Sequence, residues 1–197
     1  SEMCIRDRPI QHASDNVLKR MGRRTNKKEL IDITARLRRE IPDIALRTTL
    51  ITGFPGETYE EHQEVMEFID ECEFDRLGVF TYSREEDTPS ASMPDQIDED
   101  IKADWQADVM ELEEEVIFDK NETLKGKELY VFIEGKVADE NAYIGRTYRD
   151  APNVDGYIFI NTDETLMTGD ICKVMVTGAY EYLSLIHISE PTRPLYI

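Results

Sequence analysis

The order of helices and strands in the first half of the chain limits its fold more than any other feature. Between Thr25 and Pro42 apolar side chains recur every three or four positions, so Thr25 can cap a helix that Pro42 stops. The β-prone run ALRTTLIT at residues 45–52 follows and ends at the loop GFPG. A second helix then leads to a second such run, RLGVFTY at residues 76–82. The order α, β, α, β at these lengths is typical of a parallel sheet built from βα units.

The second helix has a recognisable start. Thr58 and Glu61 have the spacing of a capping box, in which each side chain bonds the backbone N–H of the other residue. Two strands cannot close a barrel, nor can they bury both faces of a parallel sheet. We therefore expect this α/β unit, residues 9–97, to be part of a larger sheet whose other strands lie outside the sequence.

The sequence pattern changes after a polar, proline-broken loop at residues 83–96. Residues 98–124 have helical spacing of apolar side chains, with acidic residues on the other faces, and predict a connecting helix. Residues 125–182 contain short strands separated by glycine-containing turns, such as ELYVFIEG and DGYIFINT. We predict an α/β unit followed by a small, OB-like antiparallel β-barrel, with the domain boundary near Leu124.

Both ends of the chain differ in origin from the rest. The tail LSLIHISEPTR is the literal translation of an oligonucleotide that resembles a transposon adapter used in sequencing libraries. The reverse complement of that oligonucleotide encodes SEMCIRD followed by arginine, which are the first eight residues. We therefore expect residues 1–8 and 183–197 to be adapter-derived, and the reading frame to have been cut from a longer gene.

Charge restricts the partners of the chain. The sequence of 197 residues has a formal net charge of −19, and a chain this acidic repels nucleic-acid backbones. Basic residues crowd residues 19–39, whereas residues 57–122 are strongly acidic. A basic partner would therefore meet the later part of the chain, although an acidic surface can also serve solubility alone.

The positions of the cysteines argue against a metal site, and the hydropathy argues against a membrane-spanning segment. Cys4 falls in the adapter-derived segment, and Cys72 and Cys172 are far apart and form no ligand motif, so we expect no metal site in this chain. Two reduced, apolar-face cysteines are typical of a cytoplasmic protein. No run of about 18 apolar residues is present, so we expect no membrane segment.

GFPGE, residues 53–57, is the first candidate functional segment. It lies where a strand gives way to a helix, so its glycines and the free N–H groups of the helix start could receive a carboxylate or a phosphate. Glycine and proline also occur at such turns for purely steric reasons, and that alternative stays open. Arg47, in the preceding strand, needs a partner, for which a ligand carboxylate is one candidate.

Three segments, PIQHASDNVLKRMGRR, LRTTLITGFPGET and YSREEDTPSASM, resemble consecutive motifs of the radical S-adenosylmethionine (radical SAM) methylthiotransferase family. The resemblance implies that the first unit is the C-terminal half of a partial TIM barrel, and that the final barrel is the TRAM domain. It also implies S-adenosylmethionine and two 4Fe-4S clusters in the intact parent, whose cysteines lie upstream of Pro9. The cofactor-binding residues implied here are Gln11, Arg47, Gly53, Phe54, Pro55, Gly56 and Glu57.

Two branches of this family differ in substrate. MiaB-like enzymes thiomethylate an adenosine in tRNA, and RimO-like enzymes thiomethylate the β-carbon of an aspartate in a small-subunit ribosomal protein. The segment GRTYRDAPNVDG, residues 145–156, resembles the RimO version of the TRAM domain. Residues 127–182 contain five basic and ten acidic residues, a net charge of −5, whereas an RNA-binding barrel should be basic.

The sequence therefore favours a cytoplasmic, RimO-like parent enzyme that acts on a small-subunit ribosomal protein of the ribosome, rather than directly on nucleic acid. Arg146, Tyr148, Asp150 and Asp155 are the candidate substrate-binding residues. We assign no catalytic residue within this chain and expect it to be inactive alone, because it lacks the cluster cysteines. The alternatives are a tRNA methylthiotransferase and a TRAM-type binding module without catalysis.

Overall fold

A computed structural model describes residues 8–138, 141–152, 155–180 and 183–187, with side chains up to residue 178. The chain divides into two compact units, Ser1–Val116 and Ile117–Ile197. The helices are α1 (Asp15–Arg20), α2 (Lys27–Glu40), α3 (Tyr59–Cys72) and α4 (Glu99–Glu122). The strands are β1 (Arg47–Thr52), β2 (Arg76–Thr81), β3 (Glu128–Lys136), β4 (Ala142–Arg146), β5 (Ile158–Asn161), β6 (Ile171–Tyr180) and β7 (Leu183–His187).

The sheet of the first unit is parallel, as predicted. Strands β1 and β2 pair in register from Arg47↔Arg76 onward. A third extended segment runs along the other edge of β1, where the Gln11 N–H donates to the Thr49 carbonyl at 2.8 Å. The Gln11 carbonyl in turn accepts from the Ile51 N–H at 2.8 Å. The sequence did not predict a strand in this segment, because only one residue forms a β-bridge and no alternation of apolar and polar residues can be seen over so short a stretch.

Capping residues set the starts of the helices. At α3 the predicted capping box between Thr58 and Glu61 is present. At α2 the predicted cap, Thr25, is wrong by one residue, because the Asn26 side chain accepts from the Glu29 N–H at 2.9 Å. Glu29 completes that box by accepting from the Asn26 N–H at 3.2 Å, so the reciprocal pair decides the boundary.

The two faces of the small sheet differ in burial. Alternate residues of β1, including Leu50, lie in the core with Val65, Phe68 and Ile69 of α3. The other residues of β1, from Arg47 onward, are only half-buried. Helices therefore cover one face of this sheet, and the opposite face is open in the described unit.

The second unit is a closed five-stranded barrel in the order β3-β4-β5-β7-β6. The pairings among β3, β4, β5 and β6 are antiparallel, as predicted for residues 125–182. Strand β7, beyond that range, closes the ring by pairing antiparallel with β6 and parallel with β5. The parallel pair follows from parity, because an odd number of strands cannot alternate in direction around a closed ring. Strand β7 lies in the segment predicted to be adapter-derived, and that origin stays a prediction.

Helix α4 contains the division between the two units, which falls between Val116 and Ile117. Val109 of α4 is fully buried in the core of the first unit. None of the helices in the described residues combines the length and the apolar character that a membrane span requires.

Candidate functional site

A cavity of ≈ 820 Å³ opens at the carboxyl ends of β1 and β2. Ligands of α/β proteins commonly bind at this edge of a parallel sheet. Its floor includes Thr49 and Ile51, which stand on the face of β1 that the helices leave open. On β2 the register places Phe80 beside Ile51, and the Phe80 side chain is 60% exposed. The open sheet face thus becomes the floor of the cavity.

Two aromatic rings form one wall of the cavity. Phe54, from the loop after β1, meets the ring of Tyr82 edge-on at a centroid distance of 5.3 Å. The buried ammonium of Lys102 lies 5.3 Å from the Tyr82 ring centroid and donates to the Tyr82 carbonyl at 3.1 Å. These contacts from Lys102 hold Tyr82 in place, so α4 supports the aromatic wall.

Glu57 holds the GFPG turn from inside. Its Oε2 accepts from the Gly53 N–H at 2.7 Å and from the Phe54 N–H at 3.0 Å. Its Oε1 lies 3.1 Å from Nε2 of the buried His12, although neither atom makes a hydrogen bond of good geometry. The Glu57 carboxylate therefore faces the turn and not the cavity.

The two glycines of the turn are required by backbone and space. Gly53 and Gly56 have φ angles of 74° and 75°, in the left-handed region that favours glycine. A Cβ on Gly53 would also lie 2.2 Å from Cγ of Lys102. The steric reading of the GFPG motif, which the sequence left open, accounts for both glycines.

The cavity includes only part of the predicted cofactor set. Gln11 and Phe54 line it. The other turn residues, Gly53, Pro55, Gly56 and Glu57, shape the turn and are not among the lining residues. Arg47 starts β1, at the opposite end of the strand from the cavity. The cofactor role of this whole set stays a prediction.

Sequence reasoning missed several lining residues. Arg20 and Arg23 come from the end of α1 and the turn after it, and Phe80 and Tyr82 come from β2 and its end. One available signal was the carboxyl end of β2, because parallel strands end at the same edge of a sheet. The arginines carried no such signal, since their place depends on how α1 packs.

The buried His62 side chain of α3 packs against α4. The His62 ring stacks on Trp105 at 4.9 Å, and its Nε2 is 3.4 Å from Asp108 Oδ2. Burial lowers the pKa of His62, and the nearby carboxylates of Glu57 and Asp108 only partly oppose that effect. His62 is therefore neutral at physiological pH.

Glu61 links α1 to α3 in the same region. Its carboxylate accepts from Arg20 Nη2 at 2.9 Å and from the Ser14 hydroxyl at 3.3 Å. Burial raises the pKa of Glu61, but hydrogen bonds from the Thr58 backbone and from Arg20 outweigh it, and the pKa is lowered overall. Glu61 is therefore an anion that fixes the Arg20 guanidinium.

Comparisons with known proteins agree with this architecture. Residues 9–69 match the model of the Radical SAM superfamily, and residues 126–183 match that of the TRAM domain. A ribosomal protein uS12 methylthiotransferase RimO of Lachnoclostridium phytofermentans is 56% identical over 176 residues, which are 89% of this chain and 40% of the relative. The proteins of that name from Thermoanaerobacter sp. and Geobacter sulfurreducens are 45% identical over 176 residues and 46% identical over 177, covering 89% of this chain and 40% and 39% of those relatives.

The chain thus contains a Radical SAM superfamily region followed by a TRAM domain, and over 89% of its length it is similar to RimO proteins. It spans about 40% of the length of the curated relatives that it matches. The predicted fold, a radical SAM region followed by a TRAM domain, is confirmed.

The cysteines that the structure describes, Cys72 and Cys172, do not suit an iron–sulfur cluster. Burial raises the pKa of the Cys72 thiol to about 11, and burial also raises that of Cys172, whereas cluster ligands are thiolates. The two residues belong to different units. Across the part of the chain that the structure describes, no three His, Cys, Asp or Glu side chains are grouped to hold a metal ion.

The candidate substrate residues of the TRAM domain differ in what they contact. Asp150 is buried, and its Oδ2 accepts from the Thr147 N–H at 2.9 Å and from the Thr147 hydroxyl at 2.7 Å. Asp155 Oδ2 accepts from the Ala151 N–H at 2.6 Å, so both aspartates fold the loop. Arg146 Nε pairs with a Glu134 oxygen at 2.7 Å, and Tyr148 is 52% exposed. The role of these four residues in substrate binding stays a prediction.

We predict that Glu57→Ala destabilises the first unit by about 3 kcal/mol, because two buried backbone N–H groups lose their acceptor. Denaturant unfolding measured by the fluorescence of Trp105 checks this value. The control is Glu60→Ala, which removes an exposed carboxylate three residues further along and should cost less than about 1 kcal/mol. Equal losses in the two variants would contradict the role given to Glu57.

We also predict that the free energy of unfolding falls as the pH drops below about 6.5, the unshifted pKa of histidine. The folded pKa of His62 is lowered, so the unfolded chain takes up the proton first and protonation favours unfolding. This stability is complete above the unfolded pKa and is lost as the pH falls through the folded one. Unfolding titrations at several pH values should show a shallower loss in His62→Phe, which keeps a ring against Trp105 without a titrating group. The same pH slope in both proteins would refute the assignment.

Proposed function

We propose that this chain forms the cofactor-facing wall and the TRAM domain of a radical SAM methylthiotransferase. The parent enzyme thiomethylates the β-carbon of an aspartate in ribosomal protein uS12, in the cytoplasm. The observation that carries the proposal is the cavity at the carboxyl ends of β1 and β2, which has an aromatic wall and an exposed aromatic ring on its floor. The names of the relatives, all uS12 methylthiotransferases, support the substrate.

The residues of the cavity fit the adenosyl group of S-adenosylmethionine. Phe80 offers an exposed ring face on the floor, and the Phe54–Tyr82 pair offers an apolar wall that excludes water. Ser83 and Ser90 also line the cavity, where their hydroxyls contact Glu85 Oε1 at 3.0 Å and Thr88 Oγ1 at 3.1 Å and keep lone pairs that can accept from a ribose hydroxyl. This combination of flat apolar surfaces with a few polar groups is typical of nucleoside sites.

Gln11 gives independent support for function at this cavity. Its backbone has a φ of 79°, an uncommon conformation for a residue other than glycine. Its backbone N–H and carbonyl both form hydrogen bonds with β1, and the residue lines the cavity. Strained backbone that is held in this way is often found at ligand sites.

When bound, S-adenosylmethionine would supply the radical chemistry of the parent enzyme, together with an iron–sulfur cluster held elsewhere in that enzyme. The described residues include no group of three His, Cys, Asp or Glu side chains that could hold such a cluster. The share of this chain is to bind and orient the cofactor, to exclude water through its aromatic wall, and to present the TRAM domain to the substrate.

We predict that Phe80→Ala weakens binding of S-adenosylmethionine to the 197-residue chain about tenfold, because it removes a stacking surface. Isothermal titration calorimetry measures the effect, and the fold should survive because Phe80 is 60% exposed. Tyr59→Ala is the matched control, since Tyr59 is also 60% exposed but does not line the cavity. If Phe80→Ala left the affinity unchanged, the assignment of this cavity as the S-adenosylmethionine site would be contradicted.

The substrate assignment is tested by comparing the affinities of the chain for a ribosomal protein and for tRNA. Immobilised chain should bind purified uS12, with an affinity that falls as salt rises, because an acidic chain meets a basic protein. It should bind tRNA at least about tenfold more weakly, since residues 127–182 have a net charge of −5. A different basic ribosomal protein controls for nonspecific attraction. Tighter, salt-sensitive binding of tRNA would instead assign the chain to the tRNA-modifying branch.

A further inference from the structure

The mouth of the cavity carries two arginines, Arg20 and Arg23. We propose that they bind the side-chain carboxylate of the aspartate that the parent enzyme modifies. This inference rests on the proposed function and adds to it the residues that recognise the reacting side chain.

The residues that line the cavity carry positive charge, whereas the chain as a whole is strongly acidic. The sequence has 42 acidic and 23 basic residues, yet none of the fifteen described residues that line the cavity is acidic. Arg20 and Arg23 are the charged residues among them. A cavity without carboxylates in so acidic a protein favours an anionic group in its ligand.

The end of α1 places both arginines on one wall. Gly22 has a φ of 71°, and its N–H donates to the Lys19 carbonyl at 3.0 Å. The Arg23 N–H then donates to the Leu18 carbonyl at 2.8 Å. This hydrogen-bonded turn ends α1, and Arg20 before it and Arg23 after it both line the cavity.

The two guanidinium groups differ in their partners. Arg20 is held by Glu61 at 2.9 Å, which positions it and offsets part of its charge. Arg23 is exposed, and no acidic side chain within residues 8–138, 141–152 and 155–178 pairs with it. Arg23 therefore supplies the uncompensated charge at the mouth, beside Arg20, which Glu61 holds in position.

The chemistry of the substrate suits this arrangement. A guanidinium binds a carboxylate through two parallel N–H donors at about 2.7–2.9 Å, with a fixed orientation. The β-carbon of aspartate is bonded directly to the carboxyl carbon, so holding the carboxylate at the mouth also holds the reacting carbon at the edge of the cavity. Asparagine has the same shape without the charge and would lose this interaction.

A double-mutant cycle on the complete 197-residue chain tests the inference. The probes are uS12 and a uS12 variant in which the modified aspartate is asparagine. Arg23→Gln should weaken binding of unsubstituted uS12 about tenfold and change binding of the asparagine form less than about twofold. Arg24→Gln is the matched control, because it removes the same charge one residue away, at an exposed position outside the cavity lining. It should affect both forms of uS12 equally.

A parallel titration separates the substrate carboxylate from that of the cofactor. Arg23→Gln should leave the affinities for S-adenosylmethionine and for its decarboxylated analogue unchanged. A loss confined to S-adenosylmethionine would assign the arginine to the cofactor and overturn the inference. Equal effects of Arg23→Gln on both forms of uS12 would also overturn it, and the proposed function would stand. If the unsubstituted chain bound neither form, the proposed function would fail as well.

Discussion

The buried carboxylate of Glu57 is the contact on which the site depends. It accepts the backbone N–H groups of Gly53 and Phe54, and without it the turn after β1 would bury two unpaired donors. The same turn projects the Phe54 ring against Tyr82 and brings Gly53 against Lys102 of α4. One interaction therefore couples the end of a strand, the start of α3 and the wall of the cavity. Its proximity to His12 extends that coupling to the segment beside β1.

Local signals in the sequence determine the elements that it predicted correctly. The capping box of Thr58 and Glu61 involves residues three apart, and the parallel βα order follows from apolar spacing within single elements. The bridge of Gln11 to β1 joins residues 39 positions apart, so no short pattern reveals it. The parallel β5–β7 pair likewise follows from the closure of the whole ring and from no individual strand.

Site residues were harder to predict because a residue type does not show which way its side chain points. GFPGE attracts attention as a motif, yet four of its five residues build the turn, and only Phe54 lines the cavity. Asp150 attracts attention as an acidic loop residue, yet its carboxylate is used within the loop. In both segments the polar groups satisfy backbone donors first, which is the usual fate of buried carboxylates. The residues left for a ligand, such as Phe80, carry no distinctive motif.

Charge acts at two distances in this chain, and the two effects have opposite sign. The net charge of −19 attracts a basic protein from afar, but solvent ions screen that attraction beyond about 8–10 Å. At the cavity the local field is set by Arg20 and Arg23, since the lining contains no carboxylate. Long-range acidity and a short-range basic cavity are therefore compatible with the proposed function, because a basic ribosomal protein could present one acidic side chain to the cavity. In that proposal the first effect would govern encounter, and the second would select the residue that enters the cavity.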